Sequence, residues 1–159
     1  MKNKEYIEYT YKHRLVVIYL AKKYFPNNKE LLKQVELHDL DKLFLYLFFN
    51  KKDVSKLHRD LNYHHENDLE KSKLDYIEMV LDWESARYTK EDKPLNAYDT
   101  LVNYYSDMSE VILPILKEMN IDKSLLPKDE DVCEYVESIR DISIDEIKED
   151  IKNYLNLVL

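Results

Sequence analysis

The sequence predicts an all-α protein, a compact bundle of about seven or eight helices. Three observations carry that prediction. The 159 residues include no glycine, so tight primed hairpin turns, which need positive φ, are costly. Apolar residues recur at steps of three and four along most of the chain, which is the helical period, and no stretch alternates as a half-buried strand would. Several of these apolar runs open at an Asn, Asp or Ser able to cap a helix. With 45% hydrophobic and 35% charged residues, the composition is that of a folding chain, and its length suits one core.

The elements follow in order. Residues 4–24 read as one helix, with Tyr6, Tyr9, His13, Val17, Leu20 and Tyr24 along one stripe, and Pro26 ends it. Asn27 followed by Glu30 predicts a capping box, opening a second helix with Leu31, Val35 and His38 on one side. The run from Leu43 to Phe49 predicts a buried helix, and Asp53 a cap for the next, through Val54, Leu57 and Leu61. Ser72 with Asp75 predicts another cap, for a helix reaching about Tyr88. This helix is apolar over most of its circumference, so it belongs at the centre of the fold. Against that background Asp75, Glu78, Asp82 and Ser85 form a polar line at helical steps. Helices over 95–105 and 109–119 follow, the second with a kink expected at Pro114. Residues 120–129 read as a connector, and Ser143 with Glu146 caps a last amphipathic helix bearing Ile144, Ile147, Ile151, Tyr154, Leu155 and Val158.

Composition also narrows the function. Without glycine there is no phosphate-cradling Gly-rich loop, dinucleotide fingerprint or nucleophile elbow. The single cysteine, Cys133, excludes an internal disulfide and a Cys-based zinc knuckle. The apolar runs Leu15–Ala21 and Leu43–Phe49 fall far short of the roughly 20 residues of a membrane helix. The first five residues lack the apolar core of a signal peptide. The expectation is a cytoplasmic protein that does not meet the membrane. Of the net charge of -8, the segment 128–150 carries ten acids against three bases, so the acidity sits in the tail and the body is nearly neutral. That distribution speaks against duplex nucleic acid as a partner.

The chemistry concentrates in the histidines, all five of which fall within the first 65 residues. His38 and Asp39 stand where one helix gives way to the next, a position from which both side chains can turn to one point. A His and Asp set suits Mn, Fe, Co, Ni or Zn better than an all-oxygen cage would. His13 lies on the apolar stripe of the first helix, where an ordinary core histidine is the simpler reading. Asp82 lies on a helix that is otherwise buried, so it needs either a cation or a partner such as Arg87. Together, His13, His38, Asp39 and Asp82 imply one buried divalent ion drawing ligands from three helices. His58, Asn62 and His65 stand at steps of four and three and would share a helical face, with His64 beside Leu57 and Leu61. His58, His64 and His65 either bind a second metal, hold a phosphate and protonate its leaving group, or form a polar helix end.

His13, then His38-Asp39, then Asp82 resembles the ordered ligand set of the HD superfamily of metal-dependent phosphohydrolases. The form His38-Asp39-Leu40-Asp41-Lys42 is similar to a variant in which the lysine faces the phosphate. A closer resemblance is to an HD-like family of bacterial and phage proteins whose substrate is not established. It rests on Tyr9-x3-His13, His38-Asp39-Leu40-x-Lys42, His58-x3-Asn62-x-His64-His65 and Glu78-Met79-Val80-Leu81-Asp82-Trp83, and covers roughly residues 5–120. This chain departs from those relatives at Asp41, where they carry a small residue, and at Glu66-Asn67-Asp68, where they carry aromatic residues.

The resemblance implies an HD-like domain over residues 1–123, with 124–159 an acidic helical extension packed on it. It also implies a phosphohydrolase acting on a nucleotide or related small phosphorylated substrate. One divalent ion (Mn, Fe, Co, Ni, Zn or Mg) would be held by His13, His38, Asp39 and Asp82. Lys42 would offset phosphate charge, and His58, His64 or His65 would assist the leaving oxygen. Glu78 either orients a ligand or is a plain surface carboxylate. Two other readings remain: a metal-stapled binding protein, with the acidic tail or the fourteen tyrosines forming the contact, and a di-iron oxygenase using the histidine cluster; a homodimer is a separate expectation.

Overall fold

The computed structural model describes residues 3–67 and 69–158, and in the last helix not the side chains of Leu155, Leu157 and Val158. Among the described residues there are nine α-helices and no strand. They are α1 (Lys4–Tyr24), α2 (Lys29–Val35), α3 (Leu40–Leu45), α4 (Lys51–Leu61), α5 (Lys73–Thr89), α6 (Ala97–Tyr104), α7 (Ser109–Glu118), α8 (Glu130–Ser138) and α9 (Ile144–Val158). A 3-10 turn, Ser106–Met108, leads into α7. Only α2 and α3 are shorter than eight residues, so the bundle consists mainly of seven longer helices, as the periodicity predicts.

α1 and α5 run against each other as the spine, and the other helices pack around that pair. The main core joins Val16, Val17, Leu20 and Ala21 of α1 to Ile77, Val80 and Leu81 of α5, with Leu31, Leu101, Ile112, Leu116 and Val132 added from the surrounding helices. A second, smaller core joins Ile7 and Tyr11 of α1 to Leu43, Tyr46, Val54 and Ile147. α1 thus passes through both cores, and His13 sits between them along the helix.

The caps locate the helix starts. Ser72 and Asp75 form the predicted capping box. The second helix opens one residue later than expected, because Asn28, and not Asn27, accepts the amide of Leu31. Likewise Asn50 is the N-cap of α4, with Asp53 its reciprocal partner. The Leu43–Phe49 run is not a buried helix: α3 ends at Leu45, while Leu47, Phe48 and Phe49 are exposed. Asn3 donates to the carbonyls of Tyr46 and Phe49, which holds that run in turns. Pro114 lies inside α7, which continues to Glu118.

The acidic segment packs back onto α1. Lys23 pairs with Asp129, the N-cap of α8, and Tyr19 stacks on Tyr135. Tyr11 donates to Asp150 of α9, and Ile147 is fully buried. The expected contributions of Leu155 and Val158 lie outside the described residues. No helix among the described residues is long and apolar enough to cross a membrane.

Candidate metal centre

Four parts of the chain meet beside α1 and α5. α1 supplies His13, the α2–α3 turn supplies His38 and Asp39, and α5 supplies Asp82. α4 and the loop after it supply His58, His64 and His65. The α2–α3 turn is held from below by buried Arg14, whose guanidinium donates to the carbonyl of Glu36. Asp39, the N-cap of α3, adopts a left-handed conformation with φ of 55° and ψ of 12°. Asp tolerates this region better than most residues, and such a backbone persists only where its surroundings enforce it.

Asp39 is the hub. His13 Nε2 lies 2.6 Å from Asp82 Oδ1 and 3.9 Å from Asp39 Oδ2. His38 Nε2 lies 3.2 Å from the same Asp82 oxygen and 3.4 Å from Asp39 Oδ1. On the other side, His58 Nε2 and His64 Nε2 approach Asp39 Oδ1 to 2.8 and 3.3 Å and each other to 3.1 Å. The ligand atoms of His13, His38, Asp39 and Asp82 all lie within 4.8 Å of one another, and so do those of Asp39, His58, His64 and His65. The carboxylate of Asp39 belongs to both sets.

The outer nitrogens are held too. Glu78 Oε1 is 2.9 Å from His38 Nδ1 and 3.3 Å from His64 Nδ1, so one carboxylate orients two imidazoles. Asp41 is 2.8 Å from His58 Nδ1. Ser85 Oγ and Thr89 Oγ1 flank His13 Nδ1 at 3.1 and 3.4 Å. Gln34 donates to Glu78 and Asp75, fixing the orienting carboxylate in turn. With the outer nitrogen engaged, each ring presents Nε2 to the centre, the arrangement by which outer partners set ligand tautomer and direction.

The electrostatics agree with that geometry. Burial would raise the carboxyl groups of Asp39 and Asp82, yet neighbouring imidazoles, and Lys42 for Asp39, hold both well below the ordinary range. Glu78 is likewise brought down to about 2 by His38 and His64 against the effect of burial. Burial lowers His13 and takes His65 down to about 3, favouring neutral rings. For His38, burial acts in the same sense but Asp39, Asp82 and Glu78 outweigh it and raise the group well above its usual value. Lys42 Nζ stands 3.3 Å from Asp39 Oδ2.

These residues fit a metal ion. His65 Nε2 is buried with no hydrogen-bond partner, a costly condition for a polar atom, and Asp39 Oδ1 is crowded by the Nε2 atoms of His38, His58 and His64; a cation among these atoms suits both. Adjacent ligands on an ion with bonds of roughly 2.1 Å stand about 3 Å apart, as the Nε2 and Oδ1 atoms here do. Buried His, Asp and Glu groups in this chain can hold a metal ion.

All eight residues singled out as chemical, His13, His38, Asp39, Lys42, His58, His64, His65 and Asp82, converge here. The route of two of them differs from the expectation. α4 stops at Leu61 and Asn62 is extended, so His64 and His65 reach the site from a loop. His64 is buried while Leu57 and Leu61, its expected neighbours, are exposed. Asn67 ties this loop by donating to the carbonyls of Arg59 and Asn62. Glu78 is buried rather than a surface carboxylate, and Arg87 pairs with Glu84, leaving Asp82 to the cluster. The roles of Asp41, Gln34 and Thr89 are absent from the sequence reading, although the polar line on α5 does point to Asp75, Glu78 and Ser85. Compared with known proteins, the chain matches no family model, no curated protein and no solved structure.

Proposed function

We propose that this protein is a metal-dependent phosphohydrolase acting on a nucleotide or related small phosphate ester. The observation that carries the reading is Asp39, a buried carboxylate between two sets of inward-facing ring nitrogens. In this reading His13, His38, Asp39 and Asp82 hold one divalent ion, and Asp39, His58, His64 and His65 hold a second. Bound there, such ions lower the pKa of water and polarise a phosphoryl oxygen. Among Mn, Fe, Co, Ni, Zn and Mg, imidazole donors suit Fe, Ni and Zn, and carboxylate donors suit Mn and Mg.

The chain's own residues have distinct tasks. Glu78 and Asp41 keep His38, His64 and His58 turned inward, so no reorganisation is needed when substrate arrives. Lys42, a partly exposed ammonium beside Asp39, meets phosphate charge at the open side. His58 and His64 point at Asp39, which suits them to ligation; His65, with a buried unpartnered nitrogen, completes the second set.

Elemental analysis of protein purified without added metal, followed by a phosphatase screen over nucleotides, tests the proposal. The expected result is close to two divalent ions per chain and metal-dependent phosphate release, with turnover abolished and one ion lost in His38→Ala or Asp82→Ala. Full turnover by metal-stripped Asp82→Ala would overturn it. A second reading, a non-catalytic binding protein stapled by its metal, is favoured by the exposed apolar side chains of Leu47, Phe48, Phe49 and Leu61. It predicts bound metal with no turnover on any phosphate ester.

A further inference from the structure

We propose that Tyr9 is a positioning residue for His13, acting with Ser85 and Thr89 to hold the ring with its proton on Nδ1 and a bare Nε2 turned to Asp82. The proposal rests on the metal-centre reading above, in which His13 is a ligand. The three hydroxyl groups lie along the seam where α1 meets α5. Tyr9 precedes His13 by one turn of α1, and Ser85 and Thr89 follow Asp82 on α5 at steps of three and then four. Ser85 is fully buried and His13 nearly so.

The direction of each hydrogen bond follows from the protons available. A hydroxyl has one proton to donate, and a carbonyl oxygen can only accept. Ser85 Oγ donates to the carbonyl of Asp82 at 2.9 Å, and Thr89 Oγ1 to that of Ser85 at 3.2 Å, the back-bonding open to Ser and Thr inside a helix. Both protons are thereby committed. His13 Nδ1 lies 3.1 Å from Ser85 Oγ and 3.4 Å from Thr89 Oγ1, and towards it the two hydroxyls offer only lone pairs. Nδ1 is therefore the donor, and a neutral ring with its proton there has a bare Nε2. That nitrogen is the one 2.6 Å from Asp82 Oδ1. Two acceptors so close call for a positive charge, which the metal-centre reading supplies.

Tyr9 joins the arrangement through Thr89. Its hydroxyl is 3.4 Å from Thr89 Oγ1, whose own proton is committed, so Tyr9 donates. Its ring is stacked on His13, with centres 5.9 Å apart and planes at 17°. Lys90, the C-cap of α5, holds the Tyr9 ring in turn, with Nζ 4.9 Å from its centre. Tyr9 thus restrains His13 twice, by face contact and through Thr89. His38, His58 and His64 are each backed by a carboxylate, whereas the groups behind His13 are neutral hydroxyls. A neutral acceptor fixes the tautomer and direction of a ligand ring without burying a further charge in the seam.

The test reads the ring and the ion separately. Long-range proton–nitrogen NMR of the isotope-labelled full chain, metal-free and loaded with Zn(II), reports which His13 nitrogen carries the proton, the ring being assigned by its absence in His13→Gln. Competition with a metallochromic indicator reports the affinity for each ion. The ring is expected to carry a proton on Nδ1 in both forms and to bind Zn(II) through Nε2. Thr89→Val, which keeps the shape and removes the acceptor, should weaken one ion about tenfold or more and leave the other, and Thr89→Ser should restore most of the loss. Tyr9→Leu should weaken the same ion, and Tyr9→Phe, which keeps the ring, should weaken it less. Unchanged affinity in Tyr9→Leu would overturn the role of Tyr9, as would equal weakening of both ions, which marks a general loss of packing. A His13 proton on Nε2 alone would overturn the tautomer. A parent that takes up no metal removes the metal-centre reading instead, and the metal-free spectrum still decides the tautomer by the same criterion.

Discussion

At the scale of single residues, the design turns on carboxylates that reach two partners at once. Asp39 faces both ligand sets, and Glu78 orients His38 and His64 from behind. A carboxylate in Glu78's position acts by direction rather than by ligation, so replacing it should leave the ligands present but poorly aimed. Glu78→Gln is expected to weaken metal binding by about 10- to 100-fold while the fold survives. Competition with a metallochromic indicator measures this, and an unchanged affinity would remove Glu78 from that role. Glu78 also illustrates what a sequence can offer. Its step of four from Asp82 placed it on the same face, but surface carboxylate and buried orienter share that spacing.

At the scale of elements, the helices are positioned by caps and by burial. Asp129 is the cap of α8 and accepts the amides of Asp131 and Val132 while pairing with Lys23 of α1 at 3.1 Å. Burial would raise its carboxyl group, but Lys23 and those amides outweigh it and hold the group below 3.8. A carboxyl group lowered by folding adds stability above its unfolded value and loses that contribution as pH falls through the folded one. Asp129→Asn, which keeps a capping oxygen, should therefore melt below the parent at neutral pH, and the gap should close as pH drops below 3.8. A gap independent of pH would show that charge is not what Asp129 supplies. In α9, Ile147 is fully buried in the smaller core, which also holds Leu43, the α3 residue next to Lys42. Ile147→Ala should cost about 2–5 kcal/mol in denaturant unfolding, and a loss under 1 kcal/mol would mean that α9 is only loosely docked.

At the scale of the whole molecule, the two apolar cores meet along α1, and the polar cluster occupies their junction. A bound cation there would tie α1, the α2–α3 turn, α4 with its loop, and α5 into one body. A ligand bound only by the folded state raises stability by mass action, about 2.7 kcal/mol at a hundredfold excess over its dissociation constant. Chelator is therefore expected to lower the thermal midpoint of the parent, and to lower that of Asp82→Ala, which keeps only the second ligand set, by less. Equal response of the two proteins to chelator would separate the ion from Asp82.

The helical class, the extent of α1, the Ser72 cap and the convergent residues His13, His38, Asp39 and Asp82 were legible in the chain, because each is a matter of local period or of a polar group placed where only a partner can justify it. Local pattern does not say which partner. The Leu43–Phe49 run has the hydrophobicity of a buried helix, yet it lies at the edge of the smaller core and turns outward, because burial depends on what packs opposite. His64 and His65 reach the centre only because α4 ends at Leu61. Asp41 and Thr89 have no signature of their own: their roles arise from through-space neighbours up to 80 residues away, as between Tyr9 and Thr89, and that proximity exists only once α1 and α5 have packed.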